Sequence, residues 1–60
     1  MTFRIHIRTI NAAFEECGIG TETGRILREL AEKIEAGEVL DSVTLRDING
    51  NLVGKCVVQS

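Results

Sequence analysis

The 60-residue sequence contains no proline, tryptophan or tyrosine, and it has only one histidine, two cysteines and two phenylalanines. The sequence has no proline and no low-complexity stretch, and 43% of its residues are apolar and 27% charged. This composition is typical of a folded domain and gives no indication of a disordered chain. A domain of this length removes only about 60% of its unfolded surface from water. We therefore expect one small domain, residues 1–60, with a thin core.

Cys17 and Cys56 are too few for a disulfide framework, and we expect no secretory leader before them. No apolar run approaches the roughly 20 residues of a membrane span, and charges interrupt the N-terminal segment where a signal peptide is continuously apolar. We therefore expect a cytoplasmic protein with reduced thiols and no contact with membranes. Small domains usually supplement a thin core with disulfides, a metal or self-association, and self-association is the expected supplement here.

The net charge of -2 conceals a separation of charge along the chain. Eight of the nine acidic residues lie between positions 14 and 41, whereas four of the seven basic residues lie outside that range. The middle of the chain is therefore acidic and its two ends are basic.

Apolar and polar residues alternate from Thr2 to Ile10, which is the period-two pattern of a half-buried strand. The apolar face carries Phe3, Ile5 and Ile7, and the outward face carries Arg4, His6 and Arg8. This segment is the predicted first strand.

Two helical segments follow. Asn11 is placed to cap a short helix that ends before Gly18 and Gly20, with Phe14 as a core anchor. Thr21 is the predicted N-cap of the main helix, with Glu22 in its first turn, and Gly37 ends it. The predicted apolar stripe consists of Ile26, Leu27, Leu30, Ala31 and Ile34. The solvated face consists of Arg25, Arg28, Glu29, Glu32, Lys33 and Glu35.

Segments 43–48 and 52–58 are predicted to form a hairpin around Asn49-Gly50. A two-residue loop pairs Leu45 with Gly54, whereas a three-residue loop with Gly50 in a bulge pairs Leu45 with Val53. We favour the two-residue loop because it buries fewer charges. Its core-facing residues are Val43, Leu45, Leu52, Cys56 and Val58.

The predicted fold is α+β, in the order β-α-β-β, with one main helix on one face of a three-stranded sheet that ends in a C-terminal hairpin. A right-handed crossover allows the strand orders 1-2-3 and 1-3-2. We favour 1-3-2 because it places the third strand, the longer apolar run, in the middle.

The sheet face that the helix leaves open is the candidate site, a face for anions or a partner. Its residues are Arg4, His6, Arg8, Arg46 and Lys55. The simpler interpretation is an ordinary polar face whose positive charges balance the acidic helix. Sheet platforms for single-stranded nucleic acid stack bases on aromatic side chains, but Phe3 and Phe14 are both assigned to the core. Nucleic-acid binding is therefore an alternative that the sequence does not favour.

No catalytic residue, metal site or cofactor is predicted. His6 is a lone outward histidine, and it lacks the short spacing to Cys17 or Cys56 that nucleates a zinc site. Gly18-Ile19-Gly20 lacks the third glycine and the preceding strand of a phosphate-binding loop. Segment 47–51 is similar to a calcium loop but lacks the terminal carboxylate. We therefore expect a protein that is not an enzyme.

Five segments carry a resemblance: FRIxI at 3–7, NAAF at 11–14, RILRELA at 25–31, EAG at 35–37 and LRDINGNxVG at 45–54. Together, over nearly the whole length, they resemble a family of short uncharacterised proteins of phages, prophages and plasmids. The resemblance implies a mobile-element setting and brings no functional residue with it.

Our first hypothesis is a small non-enzymatic protein-interaction module from a mobile element, homodimeric, that binds a protein partner through a strand edge or the basic face. The alternative is a nucleic-acid-binding protein that uses the basic face. A third hypothesis, suggested only by the resemblance, is an antagonist of host defence that uses an acidic helix face formed by Glu29, Glu32 and Glu35.

Overall fold

Three antiparallel strands form one sheet, and two consecutive helices pack against one of its faces. A computed structural model describes residues 1–60. Its elements are β1 (Thr2–Ile7), α1 (Ala12–Cys17), α2 (Ile19–Glu35), β2 (Ser42–Arg46) and β3 (Leu52–Gln59). The strand order is β1-β3-β2, so the α+β class and the favoured order are both confirmed. No helix combines the length and apolar character needed to cross a membrane.

The hairpin contains both of the predicted registers. The Asp47 N–H donates to the Asn51 carbonyl and the Gly50 N–H donates to the Asp47 carbonyl, both at 2.9 Å, while Gly50 has a φ of 84°. The loop is therefore the three-residue one, and the two-residue prediction was wrong. Beyond it, Leu45 nevertheless lies opposite Gly54, as predicted for the other register.

A β-bulge in β3 restores the pairing of Leu45 with Gly54. Arg46 lies opposite Leu52 and Leu45 lies opposite Gly54, so that Val53 is an extra residue in β3. Because one inserted residue reverses the inward and outward alternation, Val53 is buried and Leu52 is 59% exposed. The prediction that Leu52 faces the core was therefore wrong.

Helix α2 starts two residues before the predicted cap, Thr21. Gly18 has a φ of 93° and separates the two helices, whereas Gly20 adopts helical backbone geometry within α2. The end of α2 agrees with the prediction, since Gly37 has a φ of 76° and its N–H donates to the carbonyl of Ile34.

The core lies between the helices and the part of the sheet formed by β2 and β3. It consists of Phe14, Ile26, Leu30, Leu45, Val53 and Cys56. Phe14 is fully buried, as predicted, but Phe3 and Ile5 of β1 are 39% and 46% exposed. Of the three strands, β2 makes the most contacts with α2. The helix therefore leaves the apolar side of β1 partly uncovered, which the strand pattern did not reveal.

Candidate functional site

The sheet face opposite the helices, here called the open face, brings the predicted basic residues together. They are Arg4, His6, Arg8, Arg46 and Lys55, and all five are exposed. His6 lies directly opposite Lys55, and Lys55 lies opposite Thr44 on β2. Residues opposite each other in an antiparallel pair project from the same side. The basic side chains therefore extend across all three strands.

None of the basic side chains on the open face has a carboxylate partner. Arg4 Nε donates to Gln59 Oε1 at 2.8 Å, and an Arg46 guanidinium nitrogen donates to the Gly50 carbonyl at 3.1 Å. Both ion pairs of the structure are made by Arg25, at the other side of the sheet. The four arginine and lysine charges of the open face are therefore not neutralised within the molecule.

The open face also carries apolar side chains. Two shallow depressions run along it and share the side chains of His6 and Lys55. Val57 lines one of them, and Leu52 lines the other because the bulge turns Leu52 outward. The alternation of residues in β3 could not reveal Leu52, since the position of a bulge is not encoded in that pattern.

A buried carboxylate joins α2 to the hairpin tip. Glu22 is 1% exposed, and its two oxygens accept bonds from Arg25 at 2.7 and 3.1 Å. The Ile48 N–H donates to the same carboxylate at 2.8 Å. The Arg25 bonds lower the pKa of Glu22, burial opposes this, and the Ile48 bond lowers it further.

This ion pair was missed at the sequence level, where Glu22 was assigned to the helix dipole and Arg25 to the solvated face. A signal was present, because Glu22 precedes Ile26, Leu30 and Ile34 at successive intervals of four residues. That spacing places Glu22 in line with the buried stripe of the helix. A carboxylate in that line must find a charged partner, and Arg25 is one turn away.

Asp47 organises the hairpin loop. Its Oδ1 accepts the N–H groups of Asn49 and Asn51, each at 2.9 Å, and its Oδ2 accepts the amides of Asn11 and Asn51 at 3.2 and 3.3 Å. Burial acts to raise the pKa of Asp47, but these hydrogen bonds outweigh it and leave the pKa lowered. The segment that is similar to a calcium loop thus uses its carboxylate to hold its own backbone.

No group of three or more histidine, cysteine, aspartate or glutamate side chains is arranged to hold a metal ion. Cys56 is a buried core residue and Cys17 is exposed, and both thiols are free.

Three large apolar side chains, two on β1 and one on α2, are left partly uncovered. On α2, Glu29 and Lys33 line the cavity shared with β2. Helical spacing places Leu27 on the opposite flank of the buried stripe, towards β1. Leu27 is 40% exposed, similar to Phe3 and Ile5 on β1. We call these three residues the β1–α2 strip.

Comparison with known proteins gives no relative. No family model, no curated protein and no solved structure matches this chain.

Proposed function

We propose that the chain is a non-enzymatic protein-interaction module that self-associates. This proposal is based on the number of exposed large apolar side chains, which is greater than the number of side chains in the core. The exposed ones are Met1, Phe3, Ile5, Ile10, Ile19, Leu27, Leu40, Ile48 and Leu52. Isolated apolar residues are normal on a surface, but neighbouring ones mark interaction sites. Phe3 and Ile5 of the β1–α2 strip are such neighbours, since they lie two positions apart on one face of β1.

The small number of buried residues supports the same proposal. The accessible area of 4200 Å² is ordinary for this mass, since a compact monomer has about 3900 Å². Only 9 of 60 residues are buried. Self-association adds buried apolar area without lengthening the chain, which offsets the thin core.

The cellular setting is part of the proposal. We infer a cytoplasmic location, because the free thiols of Cys17 and Cys56 are compatible with a reducing compartment. The mobile-element origin that the sequence resemblance implies stays a prediction.

Sedimentation equilibrium over a micromolar dilution series tests the self-association. We expect a dimer for the wild type and a monomer for Ile5→Lys, which adds a charge to the β1–α2 strip. The matched control is Leu40→Lys, since Leu40 is 79% exposed in the loop before β2, at the other edge of the sheet. A wild-type chain that stays monomeric throughout, with a concentration-independent melting temperature, contradicts the proposal.

Nucleic-acid binding by the open face is a second candidate, favoured by its four charges without carboxylate partners. With no exposed tyrosine or tryptophan to stack on bases, binding would use phosphate contacts. Fluorescence anisotropy with a duplex DNA probe tests it. Arg4→Ala with Arg8→Ala should weaken binding at least tenfold and reduce its salt dependence, whereas Arg28→Ala on the helix should not. Absence of binding at low salt eliminates this candidate.

A further inference from the structure

We propose that two copies of the chain join through their β1 strands, antiparallel, with the two-fold axis at Ile5. The two three-stranded sheets then form one six-stranded sheet. This inference rests on the proposed self-association, and it specifies the surface and the register.

The outer edge of β1 carries unpaired backbone groups. The Arg8 N–H donates across to the Val53 carbonyl at 2.7 Å. Hydrogen bonding alternates along an antiparallel strand. The N–H and C=O groups of Phe3, Ile5 and Ile7 therefore point away from β3. These groups are available to a further strand.

The β1 edge lacks three of the features that usually prevent edge-to-edge pairing: a proline, a bulge and a very short strand. It does carry charged side chains, and these restrict the register. β1 has six residues, no proline, and a regular register with β3 throughout. The β2 edge is a poorer candidate, since it has five residues, adjoins the bulge, and is bordered by Glu29 and Lys33 of α2. The strand that accepts a partner is therefore β1.

The charges of β1 select the register. Only backbone groups that point away from β3 can form hydrogen bonds across the interface. The residues that carry them, Phe3, Ile5 and Ile7, must therefore pair with one another. An axis at Arg4 places Arg4 opposite the partner's Arg4, and an axis at His6 places Arg4 opposite the partner's Arg8. Like charges directly opposite each other destabilise a strand pair.

An axis at Ile5 avoids both arginine pairs. It places Arg4 opposite the partner's His6 and Phe3 opposite the partner's Ile7, and it pairs every residue from Thr2 to Arg8. Shifts beyond these three registers leave fewer residues paired. The Ile5-centred register is therefore the one with the most pairs and no opposed arginines.

The same arrangement covers the β1–α2 strip. Phe3 and Ile5 of the two copies lie beside each other on the helix side of the joined sheet, flanked by Leu27. An interface of standard size buries about 800 Å² per partner. That is roughly a fifth of the 4200 Å² of one chain. Stacking the two open faces instead would oppose four unneutralised cations on each copy, so charge disfavours that alternative.

Intermolecular nuclear Overhauser effects in a mixture of isotopically labelled and unlabelled chains test the register. In the proposed dimer, Arg4 and the partner's His6 form a pair without mutual hydrogen bonds, whose Cα atoms are about 4.5 Å apart. We expect a strong contact between their Hα protons. A dimer whose intermolecular contacts lie on β2, α2 or the open face overturns this inference and leaves the proposed self-association standing. A chain that is monomeric throughout overturns both.

Two proline variants test the pairing by a second route. Ile5→Pro removes an N–H that points away from β3 and keeps the hydrogen bonds to β3. We therefore expect a folded chain whose dimer dissociates at least tenfold more readily. Arg4→Pro removes an N–H that faces β3, so it should lower the melting temperature instead. A folded Ile5→Pro chain that dimerises as tightly as the wild type overturns the inference. If Ile5→Pro does not fold, the Arg4–His6 contact in the wild type decides the question.

Discussion

The carboxylate of Glu22 accepts a hydrogen bond from the backbone N–H of Ile48 at 2.8 Å, although the two residues are 26 positions apart. Arg25 binds the same carboxylate and also donates to the Arg46 carbonyl at 3.3 Å. One ion pair on α2 thus contacts the backbone on both sides of Asp47. It holds the hairpin tip, and with it the two strands that contribute Arg46 and Lys55 to the open face.

We expect Glu22→Gln to lower the melting temperature by roughly 5–10 °C, because it removes the charge from a buried network without removing its shape. The matched control is Glu29→Gln, since Glu29 is the other partner of Arg25 and is 60% exposed. A surface pair of this kind should shift the melting temperature by about 2 °C or less. Equal decreases of the melting temperature for the two substitutions would show that the burial of Glu22 contributes nothing to stability.

Acid should destabilise the fold through Glu22 and Asp47. Both pKa values are lowered in the folded state, so the unfolded chain binds protons more readily than the folded one. Their stabilisation is complete above the unfolded values of about 4.3 for glutamate and 3.9 for aspartate. It is lost as the pH falls through the lower folded values. Melting temperatures between pH 7 and pH 2 at constant ionic strength measure this loss.

The double variant Glu22→Gln/Asp47→Asn provides the comparison for the acid effect. Its melting temperature should change less between pH 5 and pH 2 than that of the wild type, because neither group titrates. The single variant Glu22→Gln serves the same purpose if Asp47→Asn disrupts the loop. An acid-induced decrease that is unchanged in both variants would assign the effect to other carboxylates.

Gly54 is the glycine at which a side chain has no room. A Cβ there would collide with the carbonyl of His6 on β1. We expect Gly54→Ala to destabilise the fold by about 1–3 kcal/mol, measured by chemical denaturation. Gly20→Ala is the control, because nothing lies within 4 Å of its Cβ position, and replacing helical glycine by alanine stabilises by about 0.4–1 kcal/mol. A tolerated Gly54→Ala would mean that β1 and β3 can separate at this point.

Local patterns predicted most of the fold. Alternation predicted β1, Gly37 predicted the end of α2, and the length of the third apolar run predicted that β3 lies in the centre. What failed depends on contacts between distant segments. The bulge exchanged Leu52 and Val53, and the position of α2 nearer β2 left Phe3 and Ile5 half uncovered. Neither effect can be inferred from the periodicity of a single strand.

In the candidate site, too, local patterns predicted the strand positions but not the contacts between distant segments. Strand alternation correctly placed Arg4, His6 and Lys55 on one face, because each residue's side of the sheet follows from its position in a regular strand. It could not identify the ion pair of Glu22 and Arg25, which depends on where the hairpin tip meets α2. The apolar β1–α2 strip was missed for the same reason.

Salt should separate the two proposed activities. The joined β1 strands gather Arg4 and Arg8 of both copies on one face, so added salt screens their repulsion and should strengthen the dimer. Binding of a phosphate backbone should instead weaken steeply with salt, because counterions are released. Sedimentation and DNA anisotropy at 50 and 500 mM NaCl measure the two trends. A dimer that dissociates at high salt would contradict the register centred on Ile5.

The most direct test of the account is the exchange of the β1 amide protons with solvent, measured by NMR above and below the dimer dissociation constant. The N–H groups of Phe3, Ile5 and Ile7 should be protected at high concentration and become exposed on dilution, while those of Arg4 and His6 stay protected by β3. Free exchange of the Phe3, Ile5 and Ile7 amide protons in a dimeric sample would contradict pairing through β1.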